Sequence, residues 1–242
     1  MKTELSPAYV LHRRSYRETS QLLDVFSRDH GRVSLVAKGI RKKNSNRTEI
    51  LQPFQHVLLA WSGKHELMNL TDAEADGACY HLAGERLLTG FYLNELVIRL
   101  LHQGEAHPEL FDAYDRALGN LSRADIPAPV TVRLFEKILL ESTGYGLILN
   151  HDSDTGAGIE DEHTYFYQAD RGASRNRPDG NDFVEISGRA LIDLAVGNLH
   201  DKKSLNQCKI LMRYILQKHI GSKPLASKKL YQSYLDNRKI QA

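Results

Sequence analysis

Cysteine and long apolar runs are scarce in this chain of 242 residues. Only Cys79 and Cys208 are present, far apart and without a CxxC pair, which excludes a disulfide framework and a cysteine zinc site. Both thiols are expected to be buried. No apolar run reaches the roughly 18 residues that span a bilayer, and Pro7 with its charged neighbours stands where a signal peptide needs an apolar stretch. We therefore expect a cytoplasmic protein without a membrane partner.

Enzyme motifs are also lacking. The chain has no Walker A pattern, no GxSxG and no HExxH pair, since His65 and Glu66 are not followed by a second histidine. One acidic cluster has the composition of a metal site, and its members are Asp152, Asp154, Glu160, Asp161, Glu162 and His163. An EF-hand loop would need different residues at three of its positions. A solvated acidic loop is the simpler interpretation, so no catalytic residue, metal or cofactor is predicted; a Mg²⁺-dependent nuclease is the enzyme alternative.

The small net charge of +2 hides a strong segregation of charge along the chain. Residues 1–65 carry 12 Lys/Arg against 5 Asp/Glu, residues 66–200 carry 10 against 23, and residues 201–242 carry 10 against 2. Basic ends attract a polyanion by releasing its condensed counterions, whereas the acidic middle is better suited to protein contacts. The alternative is that these charges serve solubility alone.

The first 80 residues have the pattern of a small β-domain. Gly31 and Gly63 stand in tight turns, and a polar basic connection separates the third strand from the fourth. Five strands with one long connection predict the oligonucleotide-binding (OB) fold, a five-stranded barrel. The predicted strands are Ala8–Arg13, Leu22–Ser27, Arg32–Lys38, Phe54–Trp61 and Leu67–Ala73.

Residues 81–242 are predicted to form an all-helical domain, so the fold class is α+β. Ser187 is a candidate N-cap, and Gly144 a candidate C-cap. Residues 150–184 are rich in turn formers and predict an irregular, loop-rich insert whose one short strand is Thr164–Gln168. The predicted helices are Glu85–His102, Glu109–Leu121, Pro129–Ser142, Ala190–Val196, Ser204–His219 and Ser227–Leu235.

Basic residues of the β-domain are the candidate DNA contacts, since they would neutralise phosphates on an OB-fold. Phe26, Phe54 and Trp61 are predicted to be core residues, which leaves Tyr16 as the candidate for stacking on a base. The basic candidates are Arg13, Arg14, Arg32, Lys38, Arg41, Lys42, Lys43 and Arg47. The C-terminal lysines, Lys223, Lys228 and Lys229, either extend this track or form a solvated helix face.

Several segments of the chain, in order, resemble the bacterial recombination mediator family RecO. The most specific are GRVSLVAKG, LQPF, YLNEL and the pair FE and GYG, and the resemblance covers nearly the whole chain. It implies an N-terminal OB-fold and a helical C-terminal domain in a nucleoid-associated protein. It also implies binding of single- and double-stranded DNA, annealing of complementary strands, and help, with RecR, for the RecA recombinase in displacing single-strand binding protein.

The resemblance also implies particular contacts. It assigns DNA contact to Lys38, Arg41, Lys42 and Lys43, with Arg32 close by. On the helical domain it implies a groove for the acidic C-terminal tail of single-strand binding protein, formed by Arg133, Leu134, Lys137 and Ile138. Pairing of Arg133 with Glu136 is the alternative for that arginine. Some family members carry four zinc-binding cysteines in the insert, and this chain has none there. A protein adaptor that recruits through the acidic middle is a third functional hypothesis.

Overall fold

A computed structural model describes residues 2–40, 47–64, 66–221 and 223–241. The chain forms two compact units. Unit 1 consists of Met1–Arg123 with Pro224–Ala242, and unit 2 is Ala124–Lys223. Within the described residues, no helix is both long and apolar enough to cross a membrane.

Unit 1 is built on a closed five-stranded barrel. Its strands are β1 (Ser6–Tyr16), β2 (Ser20–Ser27), β3 (Gly31–Ala37), β4 (Gln55–Ser62) and β5 (Leu67–Cys79). They close in the order β1-β2-β3-β5-β4, and only the β3–β5 pairing is parallel. The short helix α1 (Arg47–Ile50) lies in the β3–β4 connection. The predicted OB-fold is confirmed.

Alternation of apolar residues fills the barrel. Leu23 and Val25 on β2 and Leu35 on β3 point inward with residues of the other strands to form the core. Phe26 and Trp61 are fully buried and Phe54 nearly so, as predicted. The structure corrects one expectation, because Cys79 is exposed. β5 continues well beyond the predicted Ala73, and its last residues face solvent.

Besides α1, unit 1 contains the longer helices α2 (Gly84–Leu100), α3 (Pro108–Ser122) and α7 (Ala226–Gln241). α3 packs its Phe111 and Tyr114 against Tyr9 and Phe26 on the outer face of the barrel, with ring centroids 5.1–6.1 Å apart. α2, α3 and α7 therefore form one compact unit with the barrel, and aromatic contacts hold α3 to it.

The Glu95 carboxylate on α2 holds the start of α7. It accepts hydrogen bonds from the backbone amides of Ala226 and Ser227, both at 2.8 Å, and from the Ser227 hydroxyl at 2.7 Å. Burial raises the pKa of Glu95, but these hydrogen bonds and Arg99 outweigh it and leave the pKa below its usual value. The ionised side chain thus supplies the cap that the N-terminus of α7 requires.

Unit 2 combines helices with a small sheet. Its helices are α4 (Ala128–Ser142), α5 (Gly188–Val196) and α6 (Lys202–Ile220), and the Ser187 hydroxyl caps α5 as predicted by accepting from Ala190 N. The predicted strand Thr164–Gln168 is present, and two short strands that were not predicted pair with it. The strands β6 (Thr164–Gln168), β7 (Gly172–Ser174) and β8 (Val184–Ser187) form an antiparallel sheet in the order β7-β6-β8.

Gly31 is a point of close approach within unit 1. It adopts φ +64°, and a Cβ placed there would lie 1.7 Å from the backbone oxygen of Glu105. Gly39 has a similar φ of +68°, but its Cβ would have no atom within 4 Å. A substitution at Gly39 therefore strains the backbone alone, whereas a substitution at Gly31 also creates a steric clash.

We predict that Gly31→Ala lowers the free energy of unfolding by more than about 3 kcal/mol, measured by urea denaturation of the full chain. Gly39→Ala should cost only the backbone term of about 1 to 2 kcal/mol. Equal losses in the two variants would contradict the close packing of the β2–β3 turn against the segment after α2.

Candidate nucleic-acid interface

The candidate interface lies at one end of β1, β2 and β3, around the β1–β2 hairpin. Arg14 pairs with Leu22, which pairs with Val36, while the neighbouring row of Leu23 and Leu35 belongs to the core. Because side chains alternate along a strand, Arg14 points to the outer face. Arg13 pairs with Leu23, lies on the inward row and is half-buried.

Arg14 and Lys38 are exposed cations at this end of the barrel, as is Arg17 in the hairpin. Tyr16 pairs with Ser20, and Ala37 pairs with Gln21, so Lys38 follows β3 at the level of the hairpin. In the described part of the chain, neither Arg14 nor Lys38 has an acidic side chain within 4.0 Å. Such cations are available to a phosphate without first breaking an ion pair.

Tyr16 and Arg17 form the tip of the hairpin. Tyr16 is half-buried, and the Arg17 guanidinium lies 5.2 Å from the centroid of the Tyr16 ring. Arg17 adopts φ +51°, which turns the chain between the two strands. Sequence reasoning did not select Arg17, although its position in the connection between two predicted strands was a usable signal. An aromatic ring beside a guanidinium suits contact with a base and its phosphate.

Two other basic residues of the barrel have structural partners. Arg28 makes a two-point contact with Asp112 on α3, at 3.1 and 3.2 Å. The hydrogen bond with Arg28 lowers the pKa of the Asp112 carboxyl below its usual value. Arg32 donates its Nε to the Leu101 carbonyl at 3.1 Å. These two side chains hold helices to the barrel, so they are less available to a phosphate than Arg14 and Lys38.

The centre of the predicted basic run cannot be placed in the same way. Arg41, Lys42 and Lys43 lie outside the described residues, as does the side chain of Arg47. The backbone of Arg47 begins α1. Their assignment to DNA contact stays a prediction.

The candidate partner residues lie on α4 in unit 2. Arg133 is 9% exposed and donates its Nη2 to Glu136 Oε1 at 2.8 Å, so the alternative pairing is the one present in the structure. Lys137 is half-buried and donates to the Ala195 carbonyl at 2.6 Å. Leu134 and Ile138 are half-buried.

Exposed apolar side chains border this part of α4. Val196, at the end of α5, is 71% exposed and directly follows the residue that binds Lys137. Ile210 on α6 is 58% exposed and follows Lys209, whose carbonyl accepts a hydrogen bond from Arg133. Unit 2 thus has two exposed apolar residues, each next in the chain to a residue that contacts α4.

Carboxylates of the acidic cluster in the insert accept hydrogen bonds from neighbouring residues of the insert. Asp152 is buried, and its two oxygens accept hydrogen bonds from the amides of Asp154, Thr155 and Arg175. Asp154 accepts from Arg171, Ser174 and Asn176. Across the ranges that the structure describes, no group of three or more His, Cys, Asp or Glu side chains is arranged to hold a metal ion. These carboxylates stabilise the turns around the small sheet.

The closed five-stranded barrel places the N-terminal part of the chain in the OB-fold class by its topology. Comparison with known families is more specific. The family model described as "Recombination protein O N terminal" matches residues 1–77, and "Recombination protein O C terminal" matches residues 81–229. The chain belongs to the RecO family of DNA repair proteins, and the predicted resemblance is confirmed.

Individual relatives agree over nearly the whole chain. The chain is 43% identical over 232 residues to the DNA repair protein RecO of Nitrosococcus oceani, covering 96% of this chain and 94% of the relative. It is 40% identical over 234 residues to RecO of Nitrosospira multiformis, with 96% of both chains covered. RecO of Aromatoleum aromaticum is 39% identical over 229 residues, with 95% of each covered.

The buried pair on α4 gives a prediction about stability. Glu136→Leu leaves the Arg133 guanidinium buried without its carboxylate, which should lower the free energy of unfolding by about 3 to 5 kcal/mol. The double variant Arg133→Met with Glu136→Leu should recover most of that loss, because both charges are then gone. Urea denaturation measures both. A double variant less stable than Glu136→Leu alone would contradict the pairing.

Proposed function

We propose that this protein binds single-stranded DNA through the outer surface of its barrel and anneals complementary strands. As a recombination mediator it also binds double-stranded DNA and, together with RecR, helps RecA to load on strands coated with single-strand binding protein. Family membership supports this role in DNA repair and recombination. The observation that carries the DNA-binding step is the pair of exposed cations, Arg14 and Lys38, beside Tyr16.

The mechanism is physical and makes or breaks no bond. Arg14 and Lys38 neutralise phosphates, and Arg41, Lys42 and Lys43 are proposed from the sequence as further phosphate contacts. Contacts to the backbone leave the base edges free for pairing. A second strand held by the same protein then reaches a high effective concentration, which accelerates annealing.

The surface of α4 is the proposed groove for the acidic tail of single-strand binding protein. Leu134, Ile138 and the neighbouring Val196 offer apolar area to the hydrophobic end of the tail. Lys137, which lies 3.9 Å from Glu141, would exchange that contact for a carboxylate of the tail. The Arg133 guanidinium is 9% exposed and already bonded to Glu136, so it is not proposed to pair with the tail. A protein-adaptor role is thus a second function of the same chain.

The nuclease alternative is less well supported. Asp152 and Asp154 accept hydrogen bonds from neighbouring amides and side chains, and a metal would compete with those donors for the same oxygens. Incubation of a labelled strand with Mg²⁺ discriminates the two functions. We expect the strand to remain intact, and cleavage that EDTA abolishes would favour the nuclease.

Salt dependence tests the barrel surface. Replacing Arg14 and Lys38 together by alanine should flatten the plot of log affinity against log salt by about 0.7 per lost contact, or roughly 1.4 in all. The measurement is fluorescence anisotropy of a labelled oligonucleotide between low and moderate salt.

The matched control removes two exposed lysines elsewhere, Lys202→Ala with Lys203→Ala at the start of α6. This control should keep the wild-type slope. An unchanged slope in the Arg14 and Lys38 variant, or an equal change in the control, would overturn the assignment.

Peptide binding tests the α4 groove. Leu134→Ala should weaken binding of a synthetic acidic peptide with a hydrophobic C-terminal end by about tenfold, because apolar contact area is lost. Leu134→Met keeps the side-chain volume and should bind almost as the wild type does. Isothermal titration calorimetry measures both. Unchanged affinity in Leu134→Ala, or a parallel loss of DNA binding, would contradict the groove.

A further inference from the structure

Helix α7 carries a second exposed basic surface in unit 1. Lys228 and Lys229 are exposed on its first turns, and Tyr231 is 39% exposed beside them. Within the described ranges, neither lysine has an acidic side chain within 4.0 Å. Lys218 on α6, by contrast, pairs with Asp182 at 2.7 Å. The cations of α7 are therefore available to an external anion.

The attachment of α7 presents this surface rather than burying it. Of its residues with described side chains, Ser227 alone is buried, and that residue is bonded to Glu95. A single helix of this length is marginal in water without packing. The Glu95 cap and a few half-buried side chains, such as Tyr234 and Leu235, thus hold α7 on α2 while its basic face points outward.

The surface of α7 is separate from the barrel interface. α2 faces the barrel through Asn94, which donates to the Leu11 carbonyl at 2.8 Å. Glu95 and Arg99, which contact the α7 segment, lie roughly 100° to 140° around the helix from Asn94. α7 therefore covers a different side of α2 from the one that contacts β1 at Leu11.

We propose that the exposed face of α7 binds the phosphate backbone of a second DNA strand through Lys228 and Lys229. The inference rests on the proposed function, in which the barrel holds the first strand. Two separate cationic surfaces on one compact unit would let a single molecule hold two strands at once, which annealing requires. Charge complementarity selects DNA as the occupant, and exposed Tyr231 adds a ring that suits a sugar or base.

Capture of a second strand tests this proposal. The full chain is loaded on a short immobilised oligo(dT), and a labelled oligo(dT), which cannot pair with the first, is then added. Lys228→Ala with Lys229→Ala should bind the first strand within about twofold of wild type. Its affinity for the second strand should fall on the order of 20-fold at about 0.1 M salt, because two phosphate contacts account for roughly 1.4 decades of salt-dependent affinity.

Charge-retaining and charge-matched variants serve as controls. Lys228→Arg with Lys229→Arg should keep second-strand capture, and Lys202→Ala with Lys203→Ala should leave it unchanged. Circular dichroism verifies that α7 remains folded in each variant.

Unchanged capture in the alanine variant would overturn the proposal, as would an equal loss of first-strand binding. Capture of polyglutamate as tight as that of the strand would assign the face to an acidic protein instead and would also overturn it. Failure of the wild type to bind the first strand would contradict the proposed function itself. Wild-type binding of the first strand without capture of a second would contradict the α7 site alone.

Discussion

One buried amide, that of Asn94, joins the barrel to the helices around it. Its Nδ2 donates to the Leu11 carbonyl at the irregularity in the β1–β2 pairing, and its Oδ1 accepts from the Tyr114 hydroxyl on α3. A buried amide left without partners would cost about 1 to 3 kcal/mol, so the position of α2 is tightly specified. The next residue, Glu95, caps α7. Two adjacent residues of the YLNEL motif therefore fix the elements that carry both proposed DNA surfaces.

This arrangement divides the basic residues of the barrel by role. α3 covers the outer face around Tyr9 and Phe26, and Arg28 pairs there with Asp112. The end of the sheet around the β1–β2 hairpin keeps its cations exposed, with Arg14 and Lys38 beside Tyr16. Net charge cannot separate a cation that holds a helix from one that meets a phosphate. The hydrogen-bond and ion-pair partners of each cation separate the two kinds. The proposed DNA contact therefore rests on fewer basic residues than the sequence suggested.

Local patterns predicted most of the fold. Alternation and turn glycines give the five strands, and helical periodicity with the Ser187 cap places α2 to α6 close to their observed ends, whereas α7 runs six residues beyond the predicted Leu235. Packing between elements was not predictable, because a helical pattern shows an apolar face but not what covers it. The packing of α3 on the barrel and of α7 on α2 could therefore not be read from the sequence. Strands of three or four residues, as in β7 and β8, carry too little alternation to detect. The Arg133–Glu136 pair was foreseen only as one of two alternatives.

The proposal that DNA is held by the barrel and α7, and not by unit 2, is tested most directly by lysine footprinting. Acetylation of the full chain with and without single-stranded DNA, read by mass spectrometry, compares every lysine in one experiment. The first strand should protect Lys38 from acetylation. A second bound strand should protect Lys228 and Lys229 as well. Lys202 and Lys203 should stay reactive in both states. Protection of Lys202 and Lys203 with Lys38 still fully reactive would contradict the proposal.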